Sequence, residues 1–239
     1  MSIPDFVGDD LQALGFEVPD ATLDQLEVFL DRLLEANTRM NLTAVRQRDA
    51  AWKRLIVDSL TVLPGLDDLE PGAKVIDIGS GGGLPGIPLA IARPDLVVTL
   101  LESTGKKVAF HREAIDAMGL SQVHTIQERA EVLGQDPSHR QQYDAAVSRA
   151  VGPMAEVLEY SLPLVRVGGR MLAMKGPKAG QELDAASDAL ATLGAGDLQV
   201  FDAYPESFDN DLVIVSVLKD RPTPRTYPRS AGIPHRCPL

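Results

Sequence analysis

Short apolar runs alternate with amphipathic stretches through the middle of the chain. The run Lys74–Ile78 leads into a glycine-rich turn, and Leu84–Ala92 after it has the composition of a helix. This alternation continues to residue 218 and predicts an α/β fold with a doubly wound, mostly parallel sheet. The predicted strands are Lys74–Ile78, Leu96–Leu101, Val123–Ile126, Asp144–Ser148, Arg170–Met174, Leu198–Ala203 and Leu212–Leu218. The predicted helices between them are Leu84–Ala92, Lys106–Met118, Ala130–Leu133, Pro153–Leu162 and Ala179–Leu193.

The two ends of the chain differ from this core. A leucine pattern over residues 23–37 predicts an amphipathic helix, and Thr22 begins a Thr-Leu-Asp-Gln capping box at its start. A second helix is predicted over residues 49–63. The polar segment 205–211 predicts that the last two strands form an antiparallel hairpin. We therefore divide the chain into a helical cap (1–70), an α/β core (71–219) and a basic, Pro-rich tail (220–239).

Composition excludes several classes of protein. The 239 residues are 44% hydrophobic, enough for a full core, and no apolar run approaches the ~20 residues of a membrane span. The acidic start lacks the basic and apolar regions of a signal peptide. The single cysteine, Cys237, excludes an internal disulfide, and the four histidines are too scattered to predict a metal site. We expect a soluble, cytoplasmic, monomeric protein without a metal or a membrane partner.

Charge is distributed unevenly along the chain. Residues 219–239 carry five basic residues and one acid, a net charge of +4, so the rest contributes −15 to the total of −11. A second basic stretch lies at residues 41–57. The acidic total argues against a general nucleic-acid binder, because such proteins usually present a basic surface. The basic stretches leave two interpretations open, a local contact with nucleic acid or solvated charge without a partner.

The glycine-rich turn after the first predicted strand is the most informative feature for function. Glycine permits positive φ and leaves backbone N–H groups accessible at a helix N-terminus, which suits a bound ligand. Asp77 lies inside the apolar strand, where a buried acid needs partners. Glu102 ends the next apolar run, the position from which an acid holds a ribose diol in nucleotide-binding folds. A tight turn without a ligand is the alternative for the glycines alone.

Two cofactor motifs match this turn. Gly81–Gly86 satisfies GxGxxG, the dinucleotide motif, but its first glycine lies two residues too far from the strand, and Pro85 removes an N–H from the turn. The Asp-x-Gly-x-Gly-x-Gly pattern that begins at Asp77 instead resembles the first motif of S-adenosylmethionine-dependent methyltransferases. This resemblance implies that the loop holds the methionine part of the cofactor and that the acid after the second strand holds its ribose.

Eight short segments, spread in order along nearly the whole chain, carry a more specific resemblance. They are 41–43, 58–60, 77–94, 102–107, 129–131, 147–150, 174–176 and 227–229, and the most specific part is Leu84–Pro88, directly after the glycine turn. These segments resemble the RsmG (GidB) family of bacterial 16S ribosomal RNA guanine-N7 methyltransferases. The resemblance implies a Rossmann-like methyltransferase fold whose seven-stranded, mostly parallel sheet has an antiparallel edge strand.

The same resemblance implies a role for individual residues. S-adenosylmethionine would be the methyl donor, and 16S rRNA, within the small ribosomal subunit or an assembly intermediate of it, would be the partner. Arg149 and Lys175 would position the substrate without a general base, because guanine N7 is an unprotonated acceptor. The implied cofactor contacts are Gly79, Gly81, Gly83, Leu84, Glu102, Ser103, Thr104, Ala130, Glu131 and Arg149. The implied RNA contacts are Asn41, Arg54, Arg225, Tyr227, Arg229 and Arg236.

Alternatives to these roles stay open at this point. Glu102 and Glu131 could stabilise helix starts, Arg149 could pair with a carboxylate, and the tail could be disordered until it meets its substrate. A methyltransferase that acts on a small molecule would not need the basic tail, and a non-catalytic assembly factor would not bind the methyl donor. The chain also departs from the family pattern at Leu55, where a histidine is expected, and at Ser230, where a basic residue is common.

Overall fold

One seven-stranded sheet is the centre of the protein in the computed structural model, which describes residues 3–16, 18–208 and 212–239. Its strands are β1 (Lys74–Ile78), β2 (Val97–Glu102), β3 (Val123–Gln127), β4 (Tyr143–Arg149), β5 (Val165–Lys175), β6 (Ala195–Phe201) and β7 (Val213–Lys219). Their order is β3-β2-β1-β4-β5-β7-β6. Strands β1 to β5 pair in parallel, whereas β7 is antiparallel to both β5 and β6. The predicted sheet and its antiparallel hairpin are confirmed, although residues 209–211 of the predicted connection lie outside the described residues.

Helices precede the sheet and connect its parallel strands. They are α1 (Phe6–Ala13), α2 (Asp20–Met40), α3 (Arg48–Ala51), α4 (Asp58–Leu60), α5 (Gly86–Ala92), α6 (Gly105–Met118), α7 (Ala130–Leu133), α8 (Met154–Ser161), α9 (Ala179–Ala185), α10 (Ser187–Leu193) and α11 (Ile233–Arg236). A π-helical turn, Trp52–Val57, joins α3 to α4, and a 3-10 turn, Leu63–Leu66, follows α4. In the described part of the chain, no helix is both long enough and apolar enough to cross a membrane.

The first long helix begins earlier than its predicted capping box. Helix α2 starts at Asp20 after Pro19, so Thr22 lies inside the first turn and does not cap it. Pro19 has a φ of −58°, the value its ring imposes, and Asp20 places a negative charge at the positive end of the helix. These two residues start the helix without a side-chain cap, which is why the capping-box prediction is wrong.

Two predicted helices are interrupted. The predicted helix 49–63 contains the π-helical turn, which is wider by one residue and buries Trp52, Leu55 and Ile56 together. The predicted helix 179–193 is divided at Ala186, whose φ and ψ of −99° and 12° are not α-helical. An apolar repeat predicts which face of a helix is buried, but it does not show where one extra residue or one non-helical residue interrupts the helix.

Side chains of each strand alternate between two apolar clusters, one on either face of the sheet. In β1, Val75 belongs to the first cluster and Ile76 to the second, as a two-residue period requires. The first cluster also contains Phe29 of α2, and the second contains Leu158 of α8 and Leu193 of α10. The helices before the sheet therefore share a core with it. Both faces of the sheet are covered, so the ends of the strands are left to form the site.

Candidate active site

The turn after β1 needs glycine for conformational reasons and lies open to solvent at its first residue. Gly79, Gly81 and Gly83 have φ values of 69°, 57° and 83°, in the left-handed region that favours glycine. Gly79 is exposed, and a Cβ added to it would lie 3.2 Å from a methyl carbon of Val151. A side chain at this position would enter the space between the turn and Val151, and glycine keeps that space open.

Asp77 lies beneath this turn and is completely buried. Its Oδ2 accepts a hydrogen bond from the Gly86 N–H at 2.8 Å, while Oδ1 has no partner among the described residues. Burial raises the pKa of Asp77 to about 7, against the opposing effects of the Gly86 N–H and of Arg149. An unsatisfied buried carboxylate oxygen is costly in a folded protein. Asp77 therefore fixes the glycine turn to the start of α5 through Gly86, at the cost of one unpaired buried oxygen.

Glu102, at the end of β2, connects the glycine turn to the start of α6. Its Oε2 accepts from the Gly81 N–H at 3.1 Å and its Oε1 from the Thr104 N–H at 2.8 Å. Burial would raise the pKa of Glu102, but the Thr104 hydrogen bonds and the Lys107 ammonium outweigh it and hold the pKa below its ordinary value. Glu102 is therefore ionised at neutral pH, and each oxygen keeps a second lone pair for a ligand hydroxyl.

His111 also holds the glycine turn, a role that was not predicted from the sequence. Its ring is buried on α6, with Nε2 2.9 Å from the Gly81 carbonyl oxygen and Nδ1 3.2 Å from the Thr125 hydroxyl. Burial lowers the pKa of His111, so the ring is neutral, with Nε2–H donating to Gly81. A histidine on the buried face of the helix after the second strand was the available signal.

A cavity of about 260 Å³ opens at the carboxyl ends of β1, β2 and β3. Five of the predicted cofactor contacts line it, namely Gly79, Glu102, Ser103, Ala130 and Glu131, together with the apolar side chains of Ile78, Leu101 and Val151. The other predicted contacts do not line it: Gly81, Gly83, Leu84 and Thr104 shape the turn or the start of α6, and Arg149 faces a neighbouring cavity. We name this space the donor cavity.

The donor cavity fits a nucleoside with a cationic sulfonium group. Carboxylates of Glu102 and Glu131 lie on its rim, where they could accept hydrogen bonds from ribose hydroxyls and base amines. The apolar side chains of Ile78, Leu101 and Val151 offer a surface for a purine ring. The donor set contains acceptors for hydroxyl and amine groups and no cluster of cations for a pyrophosphate. These residues fit S-adenosylmethionine better than a dinucleotide.

A second, larger cavity of about 540 Å³ lies beside the ends of β4 and β5, and we name it the acceptor cavity. Arg149 lines it and donates from Nη1 to Asp58 Oδ2 at 2.6 Å and to the Arg54 carbonyl oxygen at 3.1 Å. The π-helical turn carries the chain into Asp58. Burial raises the pKa of Asp58, and Arg149 opposes this effect. The Tyr204 hydroxyl, whose pKa is raised by burial and by the nearby Asp58, completes this group.

Lys175 lies on another wall of the acceptor cavity. Its Nζ donates to the Gly152 carbonyl oxygen at 2.7 Å and to Glu182 Oε2 at 2.6 Å. Arg149 and Lys175, the two cations predicted to position the substrate, thus line one cavity, each paired with a carboxylate. The carboxylates Asp58 and Glu182 were not predicted as site residues.

The two cavities meet at Val151, which lines both of them. The residue before it, Ala150, has a φ of 54°, a conformation that costs a residue with a Cβ about 1 kcal/mol or more. Such strain persists where the surrounding structure requires it. Here it turns the chain after β4 so that Val151 separates the space beside the glycine turn from the space beside Arg149.

The C-terminal tail packs against the donor side of the molecule. Glu159, with only 1% of its side chain exposed, accepts hydrogen bonds from Arg229 Nε and Nη2 at 2.9 and 2.6 Å. The Gly232 N–H donates to Glu131 Oε1 at 2.7 Å, and Arg140 donates to the Tyr227 carbonyl oxygen at 2.7 Å. The Pro-rich composition left open whether the tail is ordered without its substrate, and these hydrogen bonds show that it packs on the rest of the protein. The tail is part of the fold and supports the carboxylate of Glu131.

Predicted RNA contacts differ in how accessible the structure leaves them. The side chains of Arg54, Arg225 and Arg236 are exposed, as is Asn41, which ends α2 in the left-handed conformation. Arg229 is occupied by Glu159, and Tyr227 is half-buried against the second apolar cluster. Within the described ranges, no group of three histidine, cysteine or acidic side chains could hold a metal ion.

Comparison with known proteins agrees with this architecture. Residues 22–207 match the family model of GidB, described as rRNA small subunit methyltransferase G. "Ribosomal RNA small subunit methyltransferase G" of Moorella thermoacetica is 40% identical over 225 residues, which cover 94% of this chain and 93% of that protein. The protein of the same name from Pelotomaculum thermopropionicum is 42% identical over 228 residues, covering 95% and 94%.

A solved structure confirms the predicted fold at a greater distance. The structure of a predicted O-methyltransferase from Agrobacterium tumefaciens aligns with a TM-score of 0.55 at 17% identity and covers 68% of this chain and 82% of its own. At this identity the similarity establishes the Rossmann-like methyltransferase fold alone. The family is established by the near full-length relatives and by the family model, and the chain belongs to the GidB family of rRNA small subunit methyltransferase G proteins.

Proposed function

We propose that this protein transfers a methyl group from S-adenosylmethionine to N7 of a guanine in 16S rRNA of the small ribosomal subunit. One observation carries the proposal: a cavity suited to the methyl donor and a cavity suited to a base meet at a single residue, Val151. The names of the family and of its relatives identify the acceptor as small-subunit ribosomal RNA. Guanine N7 is the expectation that the sequence resemblance supplies.

The donor cavity would hold S-adenosylmethionine through the exposed edge of the glycine turn and two acidic side chains. Gly79 would lie against the methionine part, Glu102 would accept from the ribose, and Ala130 with Glu131 would contact the adenine. When bound, the cofactor supplies an electrophilic methyl group on sulfur. His111 keeps the turn in its binding conformation through the Gly81 carbonyl.

The acceptor cavity would hold the base. Guanine N7 carries a lone pair and no proton, so the reaction needs no general base, and alignment and exclusion of water are the main tasks of the protein. Arg149 is fixed by Asp58, and Lys175 by Glu182 and Gly152. Cations held in this way are positioning groups with little freedom to move, which favours one orientation of the base.

Exposed cations would make the contacts to RNA outside the cavities. Arg54 adjoins the acceptor cavity through its carbonyl contact with Arg149, and Arg225 and Arg236 lie on the tail. With a net charge of −11, the protein would bind free RNA weakly, so we propose that the folded RNA of a subunit or of an assembly intermediate is the substrate. We further propose that it acts as a cytoplasmic monomer.

Methyl transfer to isolated subunits tests the proposal. Small ribosomal subunits that lack the modification are incubated with labelled S-adenosylmethionine, beside free 16S RNA, and the product is located by mass mapping. We expect one N7-methylguanine and a much slower reaction on free RNA. Gly79→Asp should abolish transfer, since the side chain would enter the space toward Val151.

Gly72→Asp is a matched control for the Gly79 substitution. Gly72 also has a positive φ, of 85°, but no atom lies within 4 Å of a Cβ built on it. Its replacement should reduce stability without reducing donor binding by the folded enzyme. Donor binding without transfer to either RNA would contradict the ribosomal assignment, and absence of donor binding would contradict the methyltransferase assignment.

A further inference from the structure

We infer that Glu182 recognises the Watson–Crick edge of the acceptor guanine, so that this carboxylate and Lys175 determine which purine is methylated. The inference rests on the proposed function, because it assigns a role to a residue of the same acceptor cavity. Glu182 lies on α9, the short helix that follows β5, and it lines the same cavity as Arg149.

Glu182 has unused hydrogen-bonding capacity. Its Oε2 accepts from Lys175 Nζ at 2.6 Å, but no described residue donates to Oε1. The side chain is 27% exposed, whereas that of Lys175 is only 9% exposed. The pair is thus fixed at its lysine end and open at its carboxylate end, where a ligand in the cavity can reach Oε1.

Asp58, the other carboxylate of the cavity, is less available. It is 13% exposed on its side chain, pairs with Arg149 at 2.6 Å, and has the Tyr204 hydroxyl beside it. Asp58 therefore serves mainly to hold Arg149. Of the two acids, Glu182 is the one that can accept further hydrogen bonds from a base.

Lys175 supplies the complementary donor next to this acceptor. An ammonium group has three N–H donors, and two of them are directed to Gly152 and Glu182. We infer that the third N–H of Lys175 and the open Oε1 of Glu182 present one donor and one acceptor to the cavity that both residues line. Because Gly152 fixes the ammonium, the order of donor and acceptor is fixed as well.

This order matches guanine and opposes adenine. Guanine presents the O6 acceptor followed by the N1–H and N2–H donors, so O6 would face Lys175 while N1–H and N2–H would face Glu182. Adenine presents a donor at N6 and an acceptor at N1, which would face the ammonium and the carboxylate with the wrong polarity. A base taken out of its stack is commonly read on this edge. N7 lies on the other edge and stays accessible to the donor cavity.

Replacing hydrogen-bonding groups on the base and on the enzyme, one partner at a time, tests this assignment. Once the target nucleotide is mapped, 16S RNA carrying guanine or 2-aminopurine at that position is reconstituted into subunits. 2-Aminopurine keeps N7 but has an acceptor at N1 and no O6. We expect kcat/KM of the wild type to fall roughly 10- to 100-fold with 2-aminopurine, the range for loss of a paired contact to a base.

Glu182→Gln should relax this preference. The amide can donate to the N1 acceptor, so activity on guanine should fall while activity on 2-aminopurine is retained or rises, and the ratio of the two should shrink at least tenfold. Asp184→Asn, an exposed acid on the same helix outside the cavity, should leave the ratio unchanged. Effects of 2-aminopurine on subunit assembly cancel, because each ratio compares the same two substrates.

Several results would overturn the inference. An unchanged ratio in Glu182→Gln, including an equal loss on both substrates, would mean that Glu182 only holds Lys175. Equal activity of the wild-type enzyme on guanine and 2-aminopurine would also contradict the inference. Failure of the proposed function looks different, since wild-type enzyme would then methylate neither substrate despite binding the donor, and both assignments would fall together.

Discussion

Replacement of Asp77 by asparagine should change how the stability of this protein depends on pH. Asp77 is completely buried, accepts one hydrogen bond from Gly86, and has one oxygen without a partner among the described residues. Burial raises its pKa from 3.8 to about 7. The carboxyl group therefore loses its proton in the unfolded chain at a much lower pH than in the folded protein. Asparagine keeps an acceptor for Gly86 but never ionises.

The sign and size of the effect follow from proton linkage. Between pH 3.8 and about 7 the folded state holds a proton on Asp77 that the unfolded state has released, so stability falls as the pH rises. One pKa unit is worth about 1.36 kcal/mol, so the whole difference corresponds to roughly 4 kcal/mol, reached near pH 7 and constant above it. The wild type carries this cost at neutral pH, and the asparagine variant does not.

Urea denaturation of both proteins at several pH values and constant ionic strength measures this difference. The free energy of unfolding of Asp77→Asn, relative to the wild type, should rise by about 1.4 kcal/mol per pH unit between pH 5 and about 7 and then level off. Asp184→Asn controls for loss of one surface charge. A difference that is the same at pH 5 and pH 8 would refute the raised pKa. A fall with rising pH would show that the folded protein favours the ionised form.

Two further substitutions test other parts of the site. Arg229→Met should destabilise the protein by about 3–5 kcal/mol in urea denaturation, because it leaves the buried Glu159 without its cation and with only the backbone N–H of residue 229 as a donor. The exposed Arg225→Met should change stability by under ~0.5 kcal/mol, and equal effects of the two substitutions would contradict a structural role for the pair. His111→Leu removes the donor to the glycine turn, so it should lower the free energy of unfolding by about 1–3 kcal/mol and weaken binding of S-adenosylhomocysteine in calorimetry. His111→Gln should recover part of the stability and part of the binding. Normal binding by the leucine variant would contradict this role.

Local sequence patterns predicted which residues lie around the donor cavity better than which lie around the acceptor cavity. The ends of β1, β2 and β3 could be placed from apolar periodicity, and residues directly after parallel strands meet at one edge of the sheet. Gly79 and Glu102 are therefore brought together as the strand ends predict, and they line the donor cavity with Glu131, which the family resemblance indicated. Their position depends on contacts within single βα units, which a sequence pattern records.

The acceptor half depends on contacts that no local pattern records. Asp58 comes from the segment before the sheet and meets Arg149, 91 positions later in the chain. Tyr204 reaches the same cavity from the connection after β6. The π-helical turn before Asp58 could not be distinguished from an ordinary helix in the apolar repeat. Only the structure identifies which distant residue each of these side chains pairs with, and the role of each side chain depends on that partner.

The same limit applies to the basic residues, because charge along the sequence does not distinguish cations that are paired inside the fold from exposed ones. The sequence predicts Arg229 to be an exposed cation of the basic tail, whereas its guanidinium pairs with Glu159, 70 positions away. Lys219 of the same segment is also buried and donates to the carbonyl oxygens of Leu162 and Val165. Net charge along a segment counts these internal cations together with exposed ones such as Arg225 and Arg236. The surface available for RNA is therefore smaller than the charge pattern indicates, which favours recognition of a folded particle over binding to free RNA.

Pairing of the cations in the acceptor cavity also answers a chemical objection to the proposed reaction. Methylation at N7 gives the base a positive charge, which nearby free cations would oppose. Arg149 and Lys175 are each within 2.6 Å of a carboxylate oxygen, from Asp58 and Glu182, so each pair is close to neutral. Paired cations can still donate hydrogen bonds to O6 while the carboxylates offset the charge that develops on the ring. The acids are therefore as necessary to the proposed chemistry as the cations that the sequence indicated first.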